Sequence, residues 1–308
     1  MIKKYILFLI FILSYASMHM HAQQPGASFL KIAPGSRAAG MGGAYTSLAF
    51  DASAVWWNPG GLAQLKTNEL TGTHAEWLAD TNYDFLSFAR PSSRGTLAGG
   101  ISMLSMGSIE SRDENRNKTS DFTAQDTAIS LAYGCTIAQK FSQGIHVKYI
   151  QQSIGDVHAK GYAVDYGGIL PLPVSGFRLG YGVYNLGPKM KFISESYHLP
   201  LRYSLGVSFQ QGALTVGLDT HYEYYESKTN VSFGSEYALF TVMSLRCGYL
   251  YNTLQSLSNN AVSSNEHINS AGIRGGFGIA VFGYQMDYAL VPYGELGSTH
   301  RISFASKF

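Results

Sequence analysis

Charged residues are scarce in this chain of 308 residues. Lys, Arg, Asp and Glu make up 14% of it, whereas soluble domains contain about 25%. The 22 basic and 20 acidic residues nearly cancel, which leaves a net charge of +2. This balance excludes a polybasic surface, so no nucleic-acid partner is expected. The shortage of Lys and Glu, together with 34 Gly and 21 Tyr, argues against a mainly helical protein and favours strands.

Long apolar runs are also lacking, apart from one at residues 5–15. That run is too short to cross a bilayer as a helix. Because it follows Lys3 and Lys4, residues 1–22 are interpreted as a secretory signal peptide that is cleaved after Ala22. The alternative is a signal anchor that stays attached. No cysteine follows this segment, so a lipoprotein anchor is not expected.

The chain has only two cysteines, Cys135 and Cys247. In an exported protein two cysteines allow a disulfide. Both residues, however, stand in phase with the apolar positions of strand-like segments, where cysteine behaves as a small hydrophobic residue. The pattern therefore favours free thiols. Two isolated cysteines provide no metal-binding spacing, and no metal site is predicted.

Motifs of the common enzyme classes are absent. The sequence contains no GxSxG elbow, Walker loop, HExxH or CxxC. The glycine-rich stretch at residues 272–278 lies in a strand pattern without a following helix, so bulges or tight packing explain it better than a phosphate-binding loop. We therefore predict no catalytic residue, no cofactor and no enzymatic activity.

What is present, from about residue 67 onward, is a repeated alternation of apolar with small or polar residues. In one segment the apolar members are Leu201, Tyr203, Leu205, Val207 and Phe209. A period of two indicates a strand with one apolar face. The segments are about ten to thirteen residues long, and a tilted membrane strand needs about nine to eleven. Strands of soluble sheets average only about five or six residues.

The connections between these segments alternate in length. Short connections at residues 91–94 and 139–142 contrast with long polar ones at 108–120 and 252–267. Short periplasmic turns and longer outer loops are typical of bacterial barrels. About fourteen segments can be counted, which predicts an all-β fold: a transmembrane antiparallel β-barrel of about 14 strands over residues 67–308. The even count predicts that both termini are periplasmic.

Charged residues of the segments fall at the phase opposite to the apolar ones. We interpret Asp219, His221, Glu223 and Arg246 as lumen-lining charges, because a charged side chain facing lipid is costly, by about 2–4 kcal/mol for Arg at the bilayer centre and less for Asp and Glu. A hydrated lining of paired charges is the first interpretation and a ligand site the second. A surface protease would need an Asp–His pair, for which Asp219 and His221 are the nearest candidates.

The last strand ends in Phe308, in phase with Phe304. A C-terminal aromatic residue on the lipid face is typical of the strand that the outer-membrane insertion machinery reads. We therefore predict that Phe304 and Phe308 form an assembly signal.

Residues 23–66 do not alternate. Ser36 and Asp51 are suitable N-caps for short helical turns, and two tryptophans in a short amphipathic stretch need an apolar partner. We predict that this segment is a hatch, or plug, folded into the lumen, with Arg37 and Asp51 paired to lumen charges such as Asp219 or Arg246. An irregular periplasmic extension is the alternative.

Within this segment two blocks match a known pattern. The first, F-L-x-I-x-P-x-x-R-A-x-x-M-G, is matched by Phe29, Leu30, Ile32, Pro34, Arg37, Ala38, Met41 and Gly42. The second, an acidic residue leading to W-N-P, is matched by Asp51, Trp57, Asn58 and Pro59, with Gly60 in place of the usual Ala. Together with the last hairpin, at residues 287–301, they resemble the PorV/PorQ family, outer-membrane barrels of Bacteroidetes related to the FadL hydrophobic-solute transporters.

The resemblance implies a FadL-like barrel with a short helical N-terminal hatch in the lumen. It places the candidate hatch residues at Arg37, Met41, Asp51, Trp57, Asn58 and Pro59. It also implies a non-enzymatic adaptor or accessory role in type IX secretion, with outer-membrane lipid and type IX translocon components or secreted cargo proteins as partners. The alternative is a FadL-like transporter of a hydrophobic or small solute, gated by the hatch.

Overall fold

The computed structural model describes residues 24–107, 110, 118, 120–137, 141–252 and 272–308. The predicted signal peptide, and most of the predicted loops 108–120 and 252–267, lie outside the described residues. Over the described ranges, no helix is both long enough and apolar enough to cross a membrane.

Fourteen antiparallel strands form one closed barrel, which confirms the predicted fold class. The barrel strands are β1 (Glu69–Glu76), β2 (Thr81–Ser92), β3 (Gly95–Met106), β4 (Ala124–Ile137), β5 (Phe141–Ile154), β6 (Val157–Pro171), β7 (Phe177–Leu186), β10 (Arg202–Gln211), β11 (Leu214–Glu223), β12 (Lys228–Phe240), β13 (Met243–Asn252), β14 (Ile273–Val281), β15 (Tyr284–Pro292) and β16 (Ser298–Lys307). The short strands β8 (Met190–Phe192) and β9 (Glu195–Tyr197) pair separately between β7 and β10. Pairing of β1 with β16, from Glu69↔Lys307 to Glu76↔His300, closes the sheet. Every edge is thereby paired, as a sheet in hydrocarbon requires.

The alternation in the sequence becomes an inside and an outside of this barrel. Large apolar side chains point outward and are exposed, as for Leu131 at 64% and Leu97 at 59%. Their neighbours Ala132 and Ala98 point inward and are buried. An apolar outer band suits lipid. Both cysteines are free, as predicted, and they lie on the separate strands β4 and β13.

The two ends of the barrel differ. At one end, here the short-turn end, connections such as 93–94, 212–213 and 282–283 contain two residues each. At the other, the long-loop end, the connections include 107–123, 187–201 and 253–272. Three connections at that end are short as well: 77–80, 155–156 and 224–227. The predicted alternation of connection lengths therefore holds only in part, because all the long connections lie at one end but not every connection there is long.

The course of the N-terminal segment differs from the prediction that both termini lie on the same side. The amide of Gly26 donates to the carbonyl of His198 at 2.9 Å, and Lys31 forms an ion pair with Glu226, both at the long-loop end. The amide of Phe308 instead meets the carbonyl of Asn68 at the short-turn end, at 3.0 Å. The prediction was wrong for the described N-terminal residues, because an even strand count fixes only the two ends of the sheet. The chain runs through the lumen before β1 begins.

A barrel with no free edge resists SDS until it is heated. We expect unboiled and boiled samples to migrate differently on a gel, because all backbone hydrogen bonds of the sheet are internal. Identical migration, combined with a circular dichroism spectrum richer in helix than strand, would contradict the closed barrel.

The long-loop end is expected to face the outside of the cell. In a background lacking Cys135 and Cys247, a cysteine at Asn115 should react with an impermeant thiol reagent on whole cells, whereas one at Ser92 should not. The same reagent on lysed cells serves as the control, because there both positions should react. Labelling of Ser92 alone on whole cells would invert the topology.

Candidate functional site

The hatch is built from four short helical elements inside the barrel. They are the 3-10 helix Ser28–Lys31, the helices Ser36–Gly40 and Ala54–Trp57, and the 3-10 helix Pro59–Gln64. Helices this short have little stability of their own in water. Most of their side chains are nonetheless buried, with Ala38 at 1% exposure and Ala54 and Leu62 at 0%. Packing against the barrel wall, rather than helix propensity, therefore holds the hatch in place.

Neither of the two predicted helix caps was right. Ser36 is the first residue of its helix, whose N-cap is Gly35, and no side chain caps it. The Ser36 hydroxyl instead meets the Ser303 hydroxyl of β16 at 2.9 Å and ties the hatch to the wall. The N-cap of the helix Ala54–Trp57 is Ser53, also without a side-chain cap. The Asp51 carboxylate accepts the Ser53 amide at 2.9 Å and so supports the turn before that helix.

Hatch backbone lies directly against wall backbone at a ring of glycines. We call this ring the glycine belt: Gly134, Gly144, Gly167, Gly180, Gly217, Gly234 and Gly248. A Cβ atom on Gly144 would lie 2.2 Å from the Pro59 carbonyl oxygen, and one on Gly248 would lie 2.2 Å from the Gly42 nitrogen. Real Cβ atoms essentially never come so close. The wall is bare at this level because the hatch occupies the space that side chains would fill.

The register of the sheet aligns the glycine belt across neighbouring strands. Gly144 stands opposite Gly134 on one side and Gly167 on the other. Farther round the barrel, Gly234 stands opposite Gly248. The belt therefore forms grooves across several strands, in which segments of the hatch lie.

Asn58 holds the hatch at one of these grooves. Its Nδ2 donates to the Thr46 carbonyl at 2.7 Å and to the Gly168 carbonyl of β6 at 3.1 Å, and its Oδ1 accepts the Gly60 amide at 3.1 Å. Next to it, the Tyr184 hydroxyl donates to the Trp57 carbonyl at 2.6 Å. Asn58 is fully buried, so loss of its amide would leave several backbone groups without partners.

Pro59 and Trp57 flank Asn58 in the same contact. The Pro59 carbonyl lies against Gly144, as described above, and the Trp57 indole donates to the Pro34 carbonyl at 3.0 Å. Trp57 thereby links the two ends of the hatch to each other. The W-N-P element of the sequence thus lies where the hatch meets β5, β6 and β7.

A chain of ion pairs joins the hatch to the opposite side of the wall. Arg37 donates to both carboxylate oxygens of Glu236, at 2.7 and 2.8 Å. Glu236 also accepts from Arg246 at 2.6 Å, and Arg246 donates in turn to Asp287 at 2.6 Å. A bidentate guanidinium–carboxylate pair is among the stronger polar contacts in proteins. All four charged groups are paired within this network.

The prediction that hatch charges pair with lumen charges holds for Arg37, although with a different partner, and was wrong for Asp51. Arg37 pairs with Glu236 instead of Asp219, and Asp51 stays within the hatch, bonded to Tyr45 and Ser53. The partner was missed because Glu236 differs from Arg37 by 199 positions in sequence. Only the closed barrel brings the two residues together.

Asp219 and His221 lie on one strand face, yet each has other partners. Asp219 accepts the backbone amides of Tyr45 at 2.8 Å and Thr46 at 2.7 Å, so its role is to hold the hatch. The Nδ1 atom of His221 lies 2.8 Å from the Ser204 hydroxyl, and its Nε2 atom lies 4.0 Å from Asp219. That gap is too long for a hydrogen bond. The relay of a Ser–His–Asp triad is therefore not formed here.

A cavity of about 130 Å³ lies between the hatch and the long-loop end. Glu223 and His221 line it from the wall, and Trp57 lines it from the hatch. Charged and aromatic side chains thus border the same open space. Over the described residues, no group of three or more His, Cys, Asp or Glu side chains is arranged to hold a metal ion.

Two features of this site were missed by the sequence reading. The first is the glycine belt, whose glycines were expected only as some of the small residues on the inner face of the barrel. Glycines that recur at the inward phase of neighbouring strands could have indicated a surface on which the hatch packs. A second buried network was not anticipated: Asp165 lies 2.8 Å from both His146 and Lys148. No local motif distinguishes those residues from other inward polar positions.

Phe304 and Phe308 lie on the outer face near the short-turn end. Phe304 stacks on Tyr284 with ring centroids 5.9 Å apart, and Phe308 stacks on Phe88 at 6.4 Å. Phe308 is 65% exposed, so its removal costs the folded barrel little packing. A large effect of its removal would therefore have to arise before folding is complete.

We expect deletion of Phe308 to impair insertion more than stability. The deleted protein should accumulate in the periplasm, whereas the same protein refolded in detergent should keep nearly the heat-conversion temperature of the full chain. Cell fractionation and gel migration measure the two effects. The substitution Phe282→Asn, of an exposed residue in a turn at the same end, is a control for losing one aromatic side chain without shortening that turn. Normal insertion without Phe308 would contradict the assembly signal.

Solved structures similar to this one are barrels of the same kind. The P. putida toluene transporter TodX aligns with a TM-score of 0.61 at 14% identity, covering 89% of this chain and 98% of that one. A monoaromatic hydrocarbon channel, CymD, aligns at 0.64 and 14% identity, covering 89% and 97%. A Pseudomonas aeruginosa FadL homologue aligns at 0.55 and 13% identity, covering 89% and 98%. At such identities the likeness shows the fold alone, which is FadL-like.

No protein with a curated description matches the sequence. A protein-family model does: it is described as type IX secretion system protein PorV, and it matches residues 17–213. The match includes the hatch and the barrel strands as far as the end of β10, and it spans more than half of the chain. Together with the closed barrel it indicates a protein of the outer membrane. The chain belongs to the PorV family of type IX secretion system proteins.

Proposed function

We propose that this protein is a non-enzymatic adaptor of type IX secretion at the outer membrane. Its barrel is closed by the hatch, and its long-loop end presents a surface to translocon components or secreted cargo. The single observation that carries the proposal, beyond family membership, is the backbone-to-backbone contact between hatch and glycine belt. A hatch in such close contact with the barrel wall is held in one position. A docking surface needs a fixed hatch, whereas a gate needs a hatch that moves.

The contacts of the hatch support this view because moving it would expose many buried polar groups. The Asp219 carboxylate would lose two backbone amides, and Glu236 would lose its bidentate partner Arg37. Each unpaired buried polar group costs about 1–3 kcal/mol, and more when it is charged. Opening a path along the lumen would break several such contacts together. The energy for that movement would have to come from solute binding.

A FadL-like transporter is the second candidate, and the cavity beside the hatch favours it. Two of the proteins with similar structures are a toluene transporter and a monoaromatic hydrocarbon channel. A cavity of about 130 Å³ is comparable to one of about 150 Å³ that accepts benzene. In this role the hatch would have to move during each transport event. That requirement separates the two candidates.

Locking the hatch to the wall tests both candidates at once. Ser36 and Ser303 have hydroxyl oxygens 2.9 Å apart, so cysteines at both positions are close enough for a disulfide after small side-chain adjustments. The pair should be introduced into a chain lacking Cys135 and Cys247, in the native bacterium with its own gene deleted. Proteins released to the medium and uptake of toluene are then measured.

For an adaptor, the gene deletion should stop the release of type IX cargo, and the locked protein should restore it fully. For a transporter, the locked protein should fail to restore uptake until a reductant opens the disulfide. The single variant Ser303→Cys is the matched control for the substitution itself. Cargo release that needs the reduced form would contradict the fixed-plug adaptor.

A further inference from the structure

The cavity at the long-loop end holds an unusual share of the unpaired polar atoms in the described chain. In all the described residues together, eleven buried side-chain nitrogen or oxygen atoms lack a hydrogen-bond partner. Six of them belong to residues that line this one cavity: Arg202, Glu223, Asn230, Ser232, Arg274 and Arg301. Buried polar atoms are normally satisfied, so a cluster of exceptions in one place calls for a missing partner.

Three of the six residues are arginines, and their charges are poorly balanced. Arg202 is 9% exposed and Arg301 only 3%. Neither these two nor Arg274 has a carboxylate within 4.0 Å among the described residues. Glu223 is the single carboxylate among the lining residues. The remaining lining cation, Lys31, already pairs with Glu226 outside the cavity. Positive charge is therefore in excess at this place.

Other buried cations in the same lumen show what a completed arrangement looks like. Arg37 and Arg246 share Glu236, and Lys148 meets Asp165 at 2.8 Å. These groups are paired because an unpaired buried charge is costly. Arg202, Arg274 and Arg301 differ from these paired cations because no carboxylate lies within 4.0 Å of them among the described residues.

Neighbouring aromatic rings hold two of the three arginines in place. The Arg202 guanidinium lies over the rings of Trp56 at 4.8 Å and Tyr184 at 4.5 Å. Arg301 lies over Trp77 at 5.0 Å, and its terminal nitrogens already donate to the Ala33 carbonyl at 2.7 Å and the Tyr293 hydroxyl at 3.0 Å. The side chains of Arg202 and Arg274 form no hydrogen bond among the described residues. Their N–H edges are therefore free, and such an edge matches a carboxylate in two parallel hydrogen bonds.

We propose that this cavity binds a small organic monoanion, a carboxylate with a body about the size of one aromatic ring. Arg202 and Arg274 would receive the carboxylate, and the lining rings of Trp57, Trp77 and Tyr293 would pack on the body. Glu223 in the lining disfavours a dianion such as phosphate. The volume, about 130 Å³, allows a molecule near the size of benzene. This site does not depend on the adaptor role, because Arg202 and Arg274 take no part in the contacts between the hatch and the glycine belt.

Calorimetric titration of the full-length protein in detergent, with benzoate as the probe, tests the proposal. We expect saturable binding that weakens at least about tenfold in the variant Arg274→Met. Arg274 is the best position to change, because its side chain has no hydrogen bond or ion pair to lose among the described residues. The matched control is Arg178→Met, which removes one lumen arginine near the short-turn end and should leave the affinity within about twofold.

Three further measurements separate the contribution of the charge from that of the ring. Benzyl alcohol has the same ring without the charge and should bind much more weakly, and inorganic phosphate should not compete. Without ligand, the heat-conversion temperature of Arg274→Met should equal or exceed that of the wild type, because the substitution removes an unpaired charge. Benzoate should raise the heat-conversion temperature only in the wild type.

The proposal is overturned if the wild type shows no saturable benzoate binding up to about 10 mM. It is equally overturned if benzyl alcohol binds as well as benzoate, since the arginines would then play no part. Equal weakening by Arg178→Met and Arg274→Met would place the binding elsewhere or reduce it to net charge. Each of these results leaves the adaptor proposal untouched, because that proposal is tested by cargo release.

Discussion

Removal of residues 23–64 behind an intact signal is expected to turn a nearly silent protein into an open pore. A barrel of fourteen strands is too wide for wall side chains alone to fill. In this barrel the wall is reduced to glycine along the belt, and the hatch fills the remaining space. In planar lipid bilayers the deletion should therefore show large, stable conductance steps, whereas the full-length protein should show almost none.

The deletion also removes much of the buried core, so folding must be checked on the same sample. Heat-dependent migration on a gel shows whether the barrel has closed, and only closed barrels enter the comparison. If the full-length protein conducts as well as the closed deletion, the hatch does not seal the lumen. The transporter candidate would then lose its gate, and the adaptor proposal would rest on the loops alone.

A single methyl group in the glycine belt should loosen the hatch. In Gly144→Ala the new Cβ would lie 2.2 Å from the Pro59 carbonyl oxygen and 2.7 Å from the Gly60 nitrogen. Both are backbone atoms, which cannot swing aside as a flexible side chain can. Overpacking of this kind costs about 1–3 kcal/mol. We expect a heat-conversion temperature several degrees lower and a measurable rise in conductance.

The matched control is Gly99→Ala on β3. Its Cβ would meet nothing closer than the Ser130 carbonyl oxygen at 3.6 Å, so it tests the general effect of replacing a strand glycine. That variant should behave as the wild type in both measurements. If Gly144→Ala and Gly99→Ala are indistinguishable, the belt does not seat the hatch.

The conformation of the hatch, unlike its place in the lumen, could not be predicted from its own sequence. The helices Ser36–Gly40 and Ala54–Trp57 contain five and four residues, and isolated helices of that length do not persist in water. Their conformation depends on the grooves that receive them. Those grooves exist only once Gly134, Gly144 and Gly167 stand side by side in the closed sheet.

The sequence alone determined the barrel: its antiparallel strands, their number, the apolar outside and the unequal ends. This information is local, because the two-residue period assigns each side chain to a face without knowledge of any distant residue. The PorV-type blocks around Arg37 and Trp57 are local as well, and they indicated a hatch in the lumen. Free cysteines followed from the same phase argument.

Only the tertiary structure decided which polar groups meet inside. Arg37 finds Glu236 on β12, Asp219 takes backbone amides of the hatch, and Arg274 is left without a carboxylate among the described residues. The direction of the hatch, from the long-loop end to the short-turn end, was equally unpredictable. The physical reason is that contacts between side chains in the lumen depend on the register of all fourteen strands in the closed barrel. A shift of one residue in any strand pair would reassign every inward partner beyond it.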